Sequence, residues 1–400
     1  MRNRKGAYTV FLMMILSGFM IFLTAILSFM GKMAVNSTTD DFGRLWGKSI
    51  LAEYDVYLKE RYGIFAYYGD QEIVLEKLND YASFTFDEKE YITYQLEVES
   101  LEPYRLVNFE NLKEQMVDVM TYQIRPDYLE DTPQQEGTAF GTRKITASWI
   151  LENLPSANLT DQNININGLV GRIKSGTGLS DLIGTTAINQ YIMTFFRHQL
   201  TGEEPNDTYF KNEWEYIITG NPDDVKALKN TRRQLILLRN LLNLAHLYGS
   251  AEKREASMAL ANVLTPGPEA VVTQGVLMEA WAYAEAENDV RLLLDGKTVP
   301  LRKADEHWAL SLDHAVNFEE GADGKGYILP SVCSGESYET YLRMLINLVP
   351  EELRLCRVMD LIQINMKYSY CDWFQLKEFY VGLSYSITIN GEKHDFKESY

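Results

Sequence analysis

Ala7-Tyr-Thr-Val-Phe-Leu-Met-Met-Ile-Leu-Ser-Gly-Phe-Met-Ile-Phe-Leu-Thr-Ala-Ile-Leu-Ser-Phe-Met30 is a run of 24 residues without a charged side chain. As a helix it would be about 36 Å long, enough to cross a hydrocarbon core of about 30 Å with some tilt. Backbone groups in lipid must be paired within the segment, so helix is the expected conformation. Arg2, Arg4 and Lys5 precede the run, and only Lys32 follows before the acidic pair Asp40 and Asp41. The positive-inside rule then places the N-terminus in the cytoplasm and the chain from about residue 33 outside. The competing reading is a cleavable secretory signal, whose apolar core is usually about 7 to 15 residues and ends in a small-x-small site. This core is longer, and Met33-Ala34-Val35-Asn36 matches such a site poorly, so an uncleaved span is preferred.

The net charge of −18 becomes −22 once the four cations Arg2, Arg4, Lys5 and Lys32 are set apart. So acidic an outer part argues against nucleic acid or an anionic membrane surface as a partner, and it also keeps an exported domain soluble. Cys333, Cys356 and Cys371 are too few for a disulfide framework and odd in number. At most one bridge forms among them, and all three can equally be reduced, packed side chains. None lies in a CxxC or a zinc spacing.

Beyond the apolar run, Phe42, Trp46, Ile50, Tyr54, Leu58 and Tyr62 recur at steps of four, with charged residues off that stripe. This predicts a long helix stopping near Gly63, or else a span joined to a separate juxtamembrane helix through Gly31, Gly43 or Gly47. The expected organisation is a basic leader (1–6), a transmembrane helix (7–31), a juxtamembrane amphipathic helix (32–68), a small α/β region (69–125), a linker (126–142) and a helix-rich α+β domain (143–400). Within it, helices are expected at 71–84, 111–123, from 179 to about 288 with a break at Thr265-Pro266-Gly267-Pro268, at 338–348 and at 350–368. Strands are expected within 91–108, 290–312 and 326–333, with Asp295-Gly296 as a hairpin turn, and from Phe374 to Asn390. The fold class is α+β with more helix than strand.

Catalytic motifs are thin. Glu306-His307 and Asp313-His314 are the only His–carboxylate cluster and offer an acid–base or ligand pair at best. Ser175-Gly176-Thr177-Gly178 lacks the Lys-Ser/Thr ending of a phosphate loop, and Gly321, Asp323, Gly324 and Gly326 lack the alternating acids of a calcium loop. Asn158 and Asn206 begin glycosylation-type triplets, a pattern that also occurs by chance. Arg357 and Asp360, three apart on an otherwise apolar helix, read as an intrahelical ion pair before they read as a binding site. Ser17, Thr24, Ser28 and Gly31 share one face of the span, where small residues permit close lateral approach of another helix. No metal, cofactor or small-molecule substrate is expected, and membrane lipid is the first partner.

Five stretches together carry a resemblance: Lys5-Gly6-Ala-Tyr-Thr-Val-Phe-Leu12, Leu51-Ala-Glu-Tyr-Asp-Val-Tyr-Leu-Lys-Glu-Arg-Tyr-Gly-Ile-Phe65, and Asn212-Glu-Trp-Glu-Tyr-Ile-Ile-Thr-Gly220. Trp281-Ala-Tyr-Ala-Glu285 with Val299-Pro-Leu301, and Tyr338-Glu-Thr-Tyr-Leu-Arg343 with Arg357-Val-Met-Asp-Leu-Ile362, complete them. The chain resembles, over almost its whole length, an uncharacterised family of bacterial single-pass membrane-anchored proteins. That family occurs alongside components of tight-adherence (Tad) pili, relatives of the type IV pilus and type II secretion systems. The resemblance implies partners among pilus or secretion subunits. Type IV prepilins carry a short basic leader ending in Gly, cut by a peptidase, and then an apolar helix with Glu at its fifth position. Met1 to Gly6 fits such a leader and makes Ala7 the new N-terminus, but the fifth position is Phe11. The expected function is a non-enzymatic surface protein, pseudopilin-like or accessory to Tad-type assembly, with a fixed envelope adhesin or scaffold and an exported hydrolase as rivals.

Overall fold

The computed structural model describes residues 5–86, 92–123, 147–158, 165–175, 186–202, 208–317 and 326–400. Most of the leader, the linker 126–142, residues 176–178 of the glycine-rich stretch, Asn206 and the Gly321–Gly324 segment lie outside them. The chain divides into two compact units, both discontinuous in sequence. The first comprises Met1–Glu60, Ile64–Asn111 and Lys377–Tyr400, and the second Arg61–Gly63 and Leu112–Leu376.

The first unit is organised by α1 (Lys5–Leu51), a single helix that runs through Gly31, Gly43 and Gly47 without a break. It ends because Asp55 starts a new helix: its carboxylate accepts the Leu58 N–H at 2.8 Å and so caps α2 (Val56–Tyr62). The buried face of the outer part of α1 is Thr39, Gly43, Trp46, Gly47 and Ile50, at steps of three and four, whereas Phe42 is exposed. The expected stripe is therefore displaced by one residue at its start. The two glycines explain why: a Cβ at Gly43 would fall within the Phe396 ring, and one at Gly47 would lie 2.8 Å from Glu398 Cγ. They are there for close approach, and they sit at the helix interior despite their poor propensity.

What approaches is a three-stranded antiparallel sheet in the order β2 (Tyr94–Val98), β4 (Gly382–Ile389), β5 (Glu392–Ser399), beside a short β1 (Tyr67–Tyr68) paired with β3 (Phe379–Tyr380). Asn390-Gly391, both at positive φ, turn β4 into β5. Leu383, Tyr385, Ile387 and Ile389 alternate into the core with Trp46, Ile50 and the Val74, Leu78, Ala82 and Phe86 stripe of α3 (Gln71–Phe86).

The second unit is helical: α4 (Phe109–Gln123, from Leu112 on), α5 (Ala147–Ile150), α6 (Ile166–Ser175), α7 (Ala187–Phe195), α8 (Glu213–Thr219), α9 (Asp224–Gly249), α10 (Ala251–Leu264), α11 (Ala270–Leu294), α12 (Leu312–Asn317), α13 (Tyr338–Leu348) and α14 (Glu351–Ser369). The strands expected over 290–312 and 326–333 are absent from the described residues there, which hold only an isolated bridge between Val299 and Glu336. Val290, Leu292 and Leu293 continue the buried stripe of Met278, Trp281, Ala282 and Ala286, so α11 runs on to Leu294. Asp295-Gly296 caps it, with Gly296 at φ +74 donating to the Leu293 carbonyl. The same dipeptide chemistry serves a hairpin turn and a helix end. The fold is α+β and helix-rich, as the periodicities indicate.

Candidate functional site

The apolar half of α1 is the first candidate. From Tyr8 to Met33 its large apolar side chains are exposed, and among the described residues it is the one helix long and apolar enough to cross a membrane. Gly6 and Ala7 lie in its first turns. Ser17 donates its hydroxyl to the Met14 carbonyl at 3.0 Å, and Thr24 donates to Met20 and Ile21 at 3.0 and 2.9 Å. Those hydroxyls are satisfied within the helix and need no partner in lipid. No atom lies within 4 Å of a Cβ built at Gly18 or Gly31.

The second candidate is a polar centre in the second unit. Arg239 on α9 is fully buried and donates through Nε to Asp289 at 3.0 Å, through Nη2 to Asn243 at 3.0 Å, and through Nη1 to Tyr341 Oη at 3.0 Å and the Pro300 carbonyl at 2.9 Å. Asp289 also meets Lys303 Nζ at 2.6 Å, and Lys303 pairs in turn with Glu285. Both acids lie on the buried face of α11. Glu285 accepts the Ala309 and Leu310 N–H groups at 2.9 and 2.8 Å. Burial pushes the Glu285 carboxyl up, opposed by Lys303. Asp289 is fully buried too, but Lys303 and Arg239 together outweigh that burial and hold its carboxyl below the usual range. The network fastens residues 299–310, whose regular structure is one 3-10 turn at Asp305–His307, to α9 and α11. Its two carboxylates and two cations pair with one another.

Along its edge lies an open cleft of about 700 Å³ bordered by Leu242, His246, Ser250, Glu252, Arg302 and Asp305, among others. Lys253 and His246 both meet Asp305 Oδ1, at 2.8 and 3.1 Å, and His246 stacks on Trp308 with centroids 5.3 Å apart. Burial lowers the His246 pKa, partly offset by its bond to Asp305. The His–carboxylate cluster read from the sequence does not assemble. His307 meets the Ser334 hydroxyl at 3.2 Å and accepts the Ala304 N–H, and His314 meets Ser311 at 2.6 Å. Among the described residues no three His, Cys, Asp or Glu side chains are placed to hold a metal ion. Cys333, Cys356 and Cys371 are all free thiols, and burial pushes that of Cys356 up to about 12.

Arg357 and Asp360 belong to a different device. Nearly all of α14 is buried on every side, and its polar residues hold the chain segments around it. Arg354 donates to Asn189 at 2.9 Å, and Arg357 to the Ile217 and Ile218 carbonyls that end α8, at 2.8 and 3.0 Å. Asp360 accepts the Ser156 N–H at 3.0 Å and the Tyr216 hydroxyl at 2.8 Å. Gln363 bridges the Asn153 carbonyl and the Leu376 N–H, both at 3.0 Å. The sequence signal for this was present: Arg354, Arg357, Asp360 and Gln363 recur at steps of three within an apolar helix, too regular for one ion pair. The Arg239 centre left a similar trace, a lone arginine between Leu235, Leu238 and Leu242 on the apolar face of α9.

A helix-rich α+β chain with one N-terminal helix able to cross a membrane is thus the class the structure defines. Residues 139–391, more than half of the chain, match DUF5702, a family of unknown function, and the chain belongs to that family. No curated protein and no solved structure matches it.

Proposed function

We propose that this is a non-enzymatic, single-pass surface protein, anchored by α1 with its N-terminus in the cytoplasm, that takes part in assembling a Tad-type pilus or secretion apparatus. The observation that carries the anchoring is the exposed apolar surface of α1 from Tyr8 to Met33, on a helix continuous with a folded outer unit. An apolar helix leading without a break into a compact unit is the layout of a subunit that packs through its stem. The link to Tad-type assembly rests on the family resemblance and on the leader-like Met1 to Gly6. Phe11, where prepilins carry Glu, favours a minor or tip pseudopilin over a standard subunit, since the Glu meets a neighbour's terminal amine in lipid.

Phe11 also favours a second reading, a fixed envelope adhesin or scaffold in which α1 is an uncut anchor. The exported hydrolase remains the third reading, with His307 and His314 each meeting a serine hydroxyl. Mass spectrometry of the N-terminal peptide from native membranes separates the first two. A mature chain beginning at Ala7 is the expected result. A chain still beginning at Met1 or Arg2, in cells with an active prepilin peptidase, removes the pseudopilin reading and leaves the fixed anchor.

A further inference from the structure

A cleft in the second unit, unrelated to α1 and to the Arg239 centre, has the chemistry of a sugar site. Its walls are α5 with the turn that follows it, and the loop that follows α14. Trp149, Glu152 and Asn153 stand on the first wall, Asp372, Trp373 and Gln375 on the second, and Lys367 of α14 between them. Its volume of about 260 Å³ lies below the roughly 300–1,000 Å³ of pockets for drug-sized ligands and suits a single six-membered ring.

The cleft is built rather than incidental. Gln363 joins its two walls through one side-chain amide, donating to the Asn153 carbonyl and accepting the Leu376 N–H at 3.0 Å each. Lys367 Nζ donates to the Glu152 carbonyl at 3.1 Å, fixing the first wall a second time. Asn153 is held at φ +57, a conformation that costs a non-glycine residue energy and that tends to persist where surrounding bonds enforce it. The site is thereby ordered before any ligand arrives, which reduces the entropic cost of binding.

Its lining selects among ligand classes. A pyranose presents apolar C–H faces and an equatorial rim of hydroxyls that both donate and accept. Indoles offer a flat, electron-rich face for the first, and side-chain amides and carboxylates serve the second. Trp373 is 50 % exposed, and Gln375, which lines the cleft, has an Oε1 with no hydrogen-bond partner. The lining holds one cation, Lys367, against two acids, Glu152 and Asp372, so the cleft has no surplus positive charge for a phosphate or a uronic acid. Lys367 Nζ also lies 5.4 Å from the centre of the Trp149 ring, the position a quaternary ammonium would need. We infer that the cleft between the turn at 149–153 and the loop at 371–376 binds one ring of an uncharged or acetamido hexose, as found at the ends or branches of envelope glycans. This site would act whichever reading of α1 holds.

The test is saturation-transfer NMR on the full chain, in a detergent without a sugar headgroup, with N-acetylglucosamine, glucose, galactose and choline chloride presented separately. At least one sugar is expected to receive saturation. Trp373→Ala should weaken its binding by about tenfold or more, the loss usual for truncating an aromatic anchor. Gln375→Leu should weaken it by at least about fivefold, the lower range for one buried hydrogen bond lost. Both variants should keep the far-UV circular dichroism of the parent, and Gln375→Leu alone decides if Trp373→Ala misfolds. Silence from all three sugars overturns the inference. So does binding that neither variant weakens, which places the sugar elsewhere, or choline binding with the sugars silent, which makes the cleft a cation cage.

Discussion

Replacing Lys303 by methionine removes the only ammonium that joins Glu285 to Asp289 and keeps a side chain of similar length. In the parent, two carboxylates and two cations, Arg239 and Lys303, balance in a site where all four side chains are at most 2 % exposed. After the substitution one negative charge is uncompensated there. Removing one partner of a buried pair typically costs about 3–5 kcal/mol, far above the roughly 0–1 kcal/mol of an exposed pair. At about 2–4 °C per kcal/mol for a unit of this size, the second unit should lose roughly 6–20 °C in melting temperature. The pH dependence gives the sharper test. Burial already raises the folded-state Glu285 carboxyl, and without Lys303, beside Asp289, it must rise further. A carboxyl raised by folding contributes its stability in full below its unfolded value, about 4.3, and loses it as pH rises through the folded value. The deficit of Lys303→Met relative to the parent should therefore be largest near pH 7 and shrink toward pH 5. Glu285→Gln added to Lys303→Met should recover part of the loss at pH 7. The assay is urea or thermal unfolding of the full chain in detergent, followed by tryptophan fluorescence, since Trp281 and Trp308 stand at the site. A loss under about 1 kcal/mol, or one that does not vary with pH, would refute the claim that this network is desolvated and charged.

Three further outcomes follow from other parts of the molecule. Gly43→Leu should destabilise the first unit by about 1–3 kcal/mol through overpacking against Phe396, while Gly31→Leu, with open space around it, should leave the unfolding midpoint unchanged in detergent. Protease release of the C-terminal hairpin in the first variant and not the second is the readout. Tyr338→Phe removes the 2.7 Å bond to Glu215, whose carboxyl burial already raises against the pull of that hydroxyl. The cost should be about 1.5–3 kcal/mol near neutral pH and less as pH falls toward about 4.3, because the carboxyl rises further once the hydroxyl is gone. In the folded chain iodoacetamide should label Cys333, which is exposed, well before Cys356, whose buried thiol is pushed up to about 12; equal rates would contradict the burial of α14.

Where local periodicity and burial agree, the chain can be read directly. The span, α3, α13 and α14 repeat apolar residues at helical spacing, and β4 alternates Leu383, Tyr385, Ile387 and Ile389 against Ser384, Ser386 and Thr388. Pairing is another matter. Tyr94 lies opposite Ile389 and Val98 opposite Tyr385 across most of the chain, and nothing local to either strand encodes the partner. Asp295-Gly296 was ambiguous for a chemical reason, since a glycine at positive φ ends a helix as well as it turns a hairpin. The sugar cleft was invisible for a different reason. Trp149, Asn153, Trp373 and Gln375 are single residues in two short segments, and Gln363 and Lys367 of α14 bring those segments together.

The first unit also limits what α1 can do. Tyr385 donates its hydroxyl to the Gly43 carbonyl, His394 meets Asp40 at 2.8 Å, and Lys32 meets Glu392 at 3.6 Å, so β4 and β5 occupy one side of the helix from about Lys32 outward. Those strands end at Ser399. The outer part of α1 is thus covered by strands far along the chain, Tyr385 being 342 residues from Gly43. Contacts of such sequence separation form late and slowly. If α1 serves as the stem of an assembly, the side of its outer third covered by the hairpin is already filled from its own chain, and lateral packing falls to the exposed stretch from Tyr8 to Met33. Substitutions that block assembly without unfolding the first unit should therefore cluster in that stretch, on the face of Ser17, Thr24, Ser28 and Gly31 where neighbours can approach most closely. Leucine replacements at Thr24 and Ser28, scored by cross-linking in native membranes, test this directly. Unchanged cross-linked species would assign lateral contact to another face or exclude it.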